Sequence, residues 1–335
     1  MPTGGYAYDR RVLALLPAAG VKVQHLRLPG SFPNPGSTDL AETERLLAQV
    51  PRGALLLIDG LAYGALPADL IRRVDRRIVA LVHHPLCLEA GLAEVRQREL
   101  RALEQAALGL ARAVIVTSPT TARTLQMDFG VPAAKITVAE PGTDTAPRAR
   151  GTGTPLQLLA VGSVVPRKAF DILVRALAPL SVLDWRLNIV GPTDRSAEAL
   201  AAVKAAIEQT GLQGRITLAG PAARDALNDY YDTADIFVMP SLYEGYGMVL
   251  AEAMARGLPI VCTTGGAAAD TVPDAAGLKV APGNVQAFGD AVGRLIKEPL
   301  LRQRMADASW AAGQKLPRWD ATAQRIADVL RRVAA

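Results

Sequence analysis

Short apolar runs alternate with segments of helical periodicity from one end of the chain to the other. The runs at Val21–Leu26, Ala54–Ile58, Arg77–Val82, Ala113–Thr117 and Lys135–Val138 predict strands in the first half. A second series follows at Leu156–Val161, Arg186–Val190, Arg215–Leu218, Asp235–Met239, Leu258–Cys262 and Leu278–Val280. Between them lie helical patterns, among them Glu94–Leu108, Phe170–Leu180, Ala197–Thr210 and Asn284–Lys297. Uninterrupted apolar strands such as Leu-Leu-Leu-Ile and Ile-Phe-Val-Met suit sheets covered on both faces. Strand–helix–strand repetition then implies parallel, doubly wound sheets with right-handed crossovers.

The stretch Thr145–Pro155 is rich in Pro, Gly, Thr and Arg, has no period, and reads as a linker between domains. The expected fold is therefore α/β, with two Rossmann-like domains facing a cleft. Their residues are 1–146 and 147–316, and ligands are expected at the carboxyl ends of the strands. Two helices follow, Pro299–Lys315 and Asp320–Val333. Ala323, Ile326, Ala327 and Leu330 make one apolar stripe on the second, so residues 317–335 are expected to cross back to the first domain. One feature departs from the pattern. Thr3-Gly4-Gly5-Tyr6 is a Gly-rich turn with no strand before it, so the first strand of the N-terminal domain is expected to be missing, replaced or lost to a misplaced start codon.

Composition narrows the function. Half of the 335 residues are hydrophobic and 21% are charged, as in a folded globular protein. The net charge of +5 is spread among alternating signs, as in Arg96-Gln97-Arg98-Glu99, which argues against a nucleic-acid face. A solvated surface or attraction to phosphates or an anionic membrane both remain open, the latter as a peripheral contact. Cys87 and Cys262 form no CxxC or Cys/His cluster, so neither zinc nor a disulfide framework is indicated. No apolar run reaches membrane-spanning length and no signal region opens the chain. The cytoplasm, with possible contact to the inner face of a membrane, is the expected compartment.

The most informative segment runs from Glu244 to Val261. Glu244 follows the strand ending at Met239 and lies in a strand-to-helix loop. Gly245 and Gly247 clear side chains from that loop, so that backbone amides can approach a ligand. The helix starting near Gly247, with Tyr246, Met248 and Val249 around its first turn, would aim free N–H groups at an anion such as a diphosphate. Glu252 is an acid inside an apolar helix, so it needs a partner: ribose hydroxyls or an Arg of its own domain. Arg167-Lys168 precede a helix start, where cations oppose the macrodipole unless an anion is bound.

His83 and His84 end a strand and Pro85 breaks it; one could meet a ligand, and alternation points the two to opposite faces. Asp59 ends another strand, to contact hydroxyls or, the favoured reading, to cap the next helix. Ser118 before Pro119 reads as a helix start.

Together these residues resemble the retaining glycosyltransferases of family 4, which have the GT-B fold and an E-x7-E motif, matched here by Glu244 and Glu252. Thr3-Gly4-Gly5 resembles the Gly-Gly loop of the acceptor domain. His83-His84-Pro85 resembles the His near the donor sugar. Gly162 with Arg167-Lys168 resembles the Gly and Arg/Lys pair that holds the diphosphate, and Gly191 resembles the Gly-loop below the base. The resemblance implies transfer of a hexose from a UDP- or GDP-sugar to a hydroxyl acceptor (saccharide, lipid-linked sugar or small molecule) with retention of configuration. Arg167 and Lys168 would neutralise the leaving diphosphate in place of a metal, and no Asp-x-Asp motif is present. Gly4, Gly5 and Asp59 would serve the acceptor or phosphate loop; no further cofactor is expected. Three rivals stand beside it. One is a silent sugar-nucleotide-binding or scaffold protein, and another a phosphorylase or hydrolase of the same fold. The third is a dinucleotide oxidoreductase, disfavoured because no G-x-G-x-x-G follows a strand.

Overall fold

The computed structural model describes residues 4–335. Four strands form the first sheet in the order β1 (Leu55–Asp59), β2 (Arg77–Val82), β3 (Ala113–Val116) and β4 (Ile136–Val138). Six form the second: β5 (Leu156–Val161), β6 (Trp185–Val190), β7 (Ile216–Gly220), β8 (Ile236–Met239), β9 (Ile260–Thr263) and β10 (Gly277–Val280). Their spatial order is β10-β9-β8-β5-β6-β7. Every strand pair is parallel. Around the first sheet lie α1 (Gly4–Leu15), α2 (Ser37–Ala48), α3 (Gly60–Tyr63), α4 (Ala68–Val74), α5 (Glu94–Leu110) and α6 (Pro119–Phe129). Around the second lie α7 (Phe170–Leu177), α8 (Ala197–Thr210), α9 (Arg224–Thr233), α10 (Met248–Met254), α11 (Ala268–Thr271), α12 (Val285–Lys297) and α13 (Pro299–Gly313), and α14 (Trp319–Ala334) ends the chain.

The chain divides into two compact units: Thr143–Leu316 with the chain start through Tyr6, and Ala7–Gly142 with Pro317–Ala335. In the first of these, side chains alternate across the second sheet into two cores. Leu158, Ala160, Leu187 and Ile189 pack with Phe170, Leu173, Val174 and Leu177 of α7 and with Phe288 and Val292 of α12. Leu159, Val190, Phe237 and Ile260 pack on the other face with Tyr231, Leu250 and Met254. Covering both faces accounts for the uninterrupted apolar strands, since β8 and β9 are buried throughout. In the second unit α14 buries Ala323, Ile326, Ala327 and Leu330. The Thr322 hydroxyl donates to the Glu140 carbonyl at 2.7 Å, and a Cβ on Gly142 would lie 2.3 Å from the Trp319 nitrogen.

Three expectations change. Val21–Leu26 forms no strand: Val21, Val23 and Leu26 are only half-buried, and the segment joins no ladder. Its alternation is met by laying Leu26 against the core edge rather than by pairing. Gly4 and Gly5 open helix α1 instead of forming a turn, while Thr3 lies outside the described residues. Residues Thr145–Pro155 lack regular structure but are fastened to the second-sheet unit, through Arg148–Asp307, Arg150–Asp232 and the Thr152 and Gly153 amides on Asp235. Among the described residues no helix is long and apolar enough to cross a membrane.

Candidate active site

The second sheet reverses its winding between β5 and β8, which are neighbours although three strands apart in sequence. Loops leaving such a pair run in opposite directions and open a crevice at the carboxyl ends. Here they are Gly162–Lys168 after β5 and Ser241–Gly247 after β8, tied together by the Leu242 amide on the Arg167 carbonyl at 2.8 Å. Gly162 and Gly191 end adjacent strands, and a Cβ on Gly191 would lie 2.1 Å from the Gly162 carbonyl oxygen. A Cβ on Gly162 would lie 3.0 Å from Lys168 Cε. Two close-packed glycines thus let the Lys168 stem lie across the strand ends.

Lys168 Nζ stands 2.7 Å from Glu244 Oε1, and Arg167 Nη1 stands 3.2 Å from the same oxygen. Arg167 also donates to the Tyr243 carbonyl at 2.7 Å. Lys168 and Glu244 are both buried. Burial alone would push the Glu244 carboxyl up, but the Lys168 and Arg167 charges and the Lys168 hydrogen bond overcome it and hold the carboxyl at about 2. The structure therefore brings Arg167, Lys168 and Glu244 into one cluster, with Glu244 itself supplying the anion expected beside the two cations.

Sequence reasoning missed what holds Glu244. Its amide donates to the Gly265 carbonyl at 3.1 Å and its carbonyl accepts from the Ala267 amide at 2.8 Å. A Cβ on Gly265 would lie 2.2 Å from the Leu242 carbonyl oxygen, and one on Gly266 2.3 Å from that of Glu244. Only glycine admits that approach, and Thr264-Gly265-Gly266 directly after β9 was the signal available.

Gly247 sits in the left-handed region before α10, and the buried Tyr246 offers its carbonyl to the Thr271 hydroxyl at 2.7 Å. Met248 and Val249 then open α10. That helix has only seven residues, so the dipole expected at its start is weak and the cations carry more of any anion binding. Glu252 Oε2 accepts from the Tyr231 hydroxyl at 2.8 Å, and Arg256 lies 4.4 Å above the Tyr231 ring. Burial raises the Glu252 carboxyl above its usual range against the pull of Tyr231 and Arg256.

The two histidines after β2 part company. His83 Nε2 lies 3.0 Å from Asp9 Oδ1, whereas His84 Nε2 lies 3.1 Å from Glu89 Oε2. Asp59 caps α3, accepting from the Leu61 amide at 3.0 Å. Burial and the Asp9 charge push its carboxyl up, against His83 and the Leu61 amide. The donor atoms of Asp9, Asp59 and His83 lie within 4.8 Å of one another, a spacing a divalent cation would also accept. All three are already engaged in hydrogen bonds, and we read them as a hydrogen-bonded cluster. Sequence reasoning also passed over Glu104. It is fully buried in α5, accepts from the Leu86 amide at 2.9 Å, and is pushed up to about 8 by burial.

Two family models match the chain: "Glycosyl transferases group 1" over residues 155–298 and "Glycosyltransferase Family 4" over residues 12–147. The chain belongs to this glycosyltransferase family. Its curated relatives include the D-inositol 3-phosphate glycosyltransferase of Xylanimonas cellulosilytica, 29% identical over 245 residues, 68% of this chain and 58% of that one. That of Mycobacterium leprae is 33% identical over 246 residues, 67% of this chain and 56% of the relative. The match thus spans little more than half the length of these relatives. Among solved structures, sucrose-phosphate synthase from Thermosynechococcus elongatus superposes with a TM-score of 0.80 at 23% identity, covering 98% of this chain and 93% of that one. Anabaena HepE in complex with UDP-glucose gives 0.78 at 19% identity, covering 99% and 97%. At these identities the structures establish fold alone, and this family member has the GT-B fold with two Rossmann-like domains.

Proposed function

We propose that the protein moves a hexose from a nucleoside-diphosphate sugar to a hydroxyl acceptor, with retention of configuration and without a metal. The observation that carries this reading is the buried Lys168–Glu244–Arg167 cluster at the switch point of the second sheet. Breaking a glycosidic bond to a diphosphate leaves negative charge on the leaving oxygen. Two cations fixed before the reaction stabilise that charge without reorganising, an effect of roughly 3 kcal/mol for a single donor. Glu244 keeps Lys168 oriented in the free enzyme and positions sugar hydroxyls when the donor is bound. Gly162, Gly191 and Gly245–Val249 surround the nucleotide and its phosphates, and Glu252, held by Tyr231, meets the ribose.

UDP and UDP-glucose in the HepE complexes support a uridine donor. The relatives' names support a polyhydroxylated, phosphate-bearing acceptor, received by the unit built on the first sheet, where Asp59 lies, whereas Gly4 and Gly5 group with the second-sheet unit.

The test is incubation with UDP- and GDP-sugars while donor loss and product anomer are followed by NMR. Lys168→Ala and Glu244→Gln should each suppress turnover, and turnover that survives both changes would refute the mechanism. Thermal shifts with UDP, GDP and ADP separate the donor classes, because a ligand at 100 times its dissociation constant stabilises by about 2.7 kcal/mol.

A further inference from the structure

The segment beginning Gly4-Gly5 continues through Tyr8 and Asp9, and the function proposed above uses neither of these two. Both lie in α1 and both grip His83. Tyr8 is fully buried; its hydroxyl donates to the Ala139 carbonyl at 2.9 Å, and its ring meets the imidazole edge-on at 5.3 Å. Asp9 Oδ1 takes the other contact, 3.0 Å from Nε2. The backbone carbonyl of His83 accepts from the Thr117 hydroxyl at 3.2 Å. The ring is therefore constrained by a packed aromatic, a carboxylate and a tethered backbone. Among the described residues the hydrogen bonds of His83 run through Nε2 and the backbone carbonyl, and none runs through Nδ1.

We propose that Asp9 is a positioning residue that accepts a hydrogen bond from Nε2–H of His83 and so presents Nδ1 to a hydroxyl or phosphate oxygen of a sugar substrate. This rests on the glycosyl-transfer reading for the identity of the substrate. A ring nitrogen's role is set by the bond the other nitrogen makes. With Nε2–H given to a carboxylate, Nδ1 accepts from a hydroxyl when the ring is neutral and donates to an oxygen when the ring is charged. The contacts around the ring shift the balance toward the charged form. Burial alone would lower the imidazole, but the Asp9 hydrogen bond and charge, with the charge of Asp59, raise it above its ordinary value. Three titratable groups face the ring: Asp9 from α1, Asp59 from the end of β1, and the Tyr8 phenol. Burial pushes that phenol far up, so it stays uncharged. An imidazolium held in this way gives Nδ1–H as a fixed, charge-assisted donor.

The experiment is a nitrogen-15 NMR titration of the full chain labelled at histidine, free of substrate. Only His25, His83 and His84 contribute signals, and His25→Gln and His84→Gln identify His83 by elimination. The His83 midpoint is expected above the ordinary 6.5 and should fall in Asp9→Asn, which removes the charge that raises it. Turnover in Asp9→Asn should fall roughly tenfold or more in kcat/KM, and Asp9→Glu should recover most of it. A His83 midpoint at or below 6.5 in the unaltered protein would overturn the proposal, even if Asp9→Asn fails to fold. So would an Asp9→Asn protein whose His83 signals do not move. Selective broadening of His83 by micromolar Mn²⁺ would overturn it too, by making the cluster a cation site. Because the titration needs no donor sugar, the expected shifts in a protein without turnover would refute the transfer reading and leave the Asp9–His83 pairing intact.

Discussion

Replacing Lys168 by Met keeps the aliphatic stem that covers Gly162 and removes the charge 2.7 Å from Glu244. The carboxyl of Glu244 is held at about 2 against an ordinary 4.5, a difference worth roughly 3 kcal/mol of folding stability at neutral pH. Lys168 is the larger of the two opposing charges, so Lys168→Met should cost on the order of 2–3 kcal/mol and leave Arg167 as the remaining cation. The sign fixes the pH dependence. A depressed carboxyl contributes fully above 4.5, and the contribution is lost as pH falls toward about 2. The stability gap between the two proteins, read from urea unfolding followed by circular dichroism, should therefore be widest near pH 7 and narrow toward pH 3. Adding Glu244→Gln removes the stranded carboxylate, so the double variant should regain at least about 1 kcal/mol over Lys168→Met alone. On the transfer reading turnover should stay lost in both, because a leaving diphosphate would still lack the Lys168 charge. A gap that is the same at pH 7 and pH 3, or strict additivity in the double variant, would show that Lys168 and Glu244 are not coupled and would refute the reasoning.

Gly191→Ala places a Cβ 2.1 Å from the Gly162 carbonyl oxygen, where only backbone movement can relieve the clash. A loss of roughly 3 kcal/mol or more in urea unfolding is expected, together with weakened nucleotide binding by calorimetry. Glu104 is held at about 8 by burial, so its contribution is full below 4.5 and is lost as pH rises through about 8. Glu104→Gln keeps an acceptor for the Leu86 amide, and it should remove that alkaline loss and gain on the variant-free protein by a few kcal/mol at pH 8.5 relative to pH 5. Tyr231→Phe removes the donor to Glu252 and should raise that carboxyl further. On the ribose-binding reading, UDP affinity by calorimetry should drop on the order of tenfold.

Elements with signals inside one turn of chain were readable from the sequence. Helix α8 runs from Ala197 to Thr210 as its pattern predicts, with the Ser196 side chain capping one end and Gly211 in the left-handed region closing the other. Ser118 likewise caps α6, accepting from the Thr121 amide at 3.0 Å. Helix α1 was missed because it starts on two glycines and buries only Tyr8 and Val12, too narrow a stripe to register as a period. Val21–Leu26 failed in the opposite way: its alternation is real, but pairing depends on a neighbour the local pattern does not specify.

At the site the limit is sequence distance. Arg167, Lys168 and Glu244 each stood out by neighbourhood, yet the bond between Lys168 and Glu244 spans 76 positions and that between Asp9 and His83 spans 74. Glu104 shows why this matters for chemistry. In sequence it belongs to a helix of alternating Glu and Arg and looks like any solvated surface acid. In the fold it is as buried as Glu244, but it faces a single backbone amide where Glu244 faces two cations. Desolvation acts upward on both, and the partner decides the outcome: one carboxyl goes to about 8 and the other to about 2. The residue type gives the group that can titrate, whereas its charge at neutral pH, and with it any role in binding a diphosphate, is a property of contacts made across the fold.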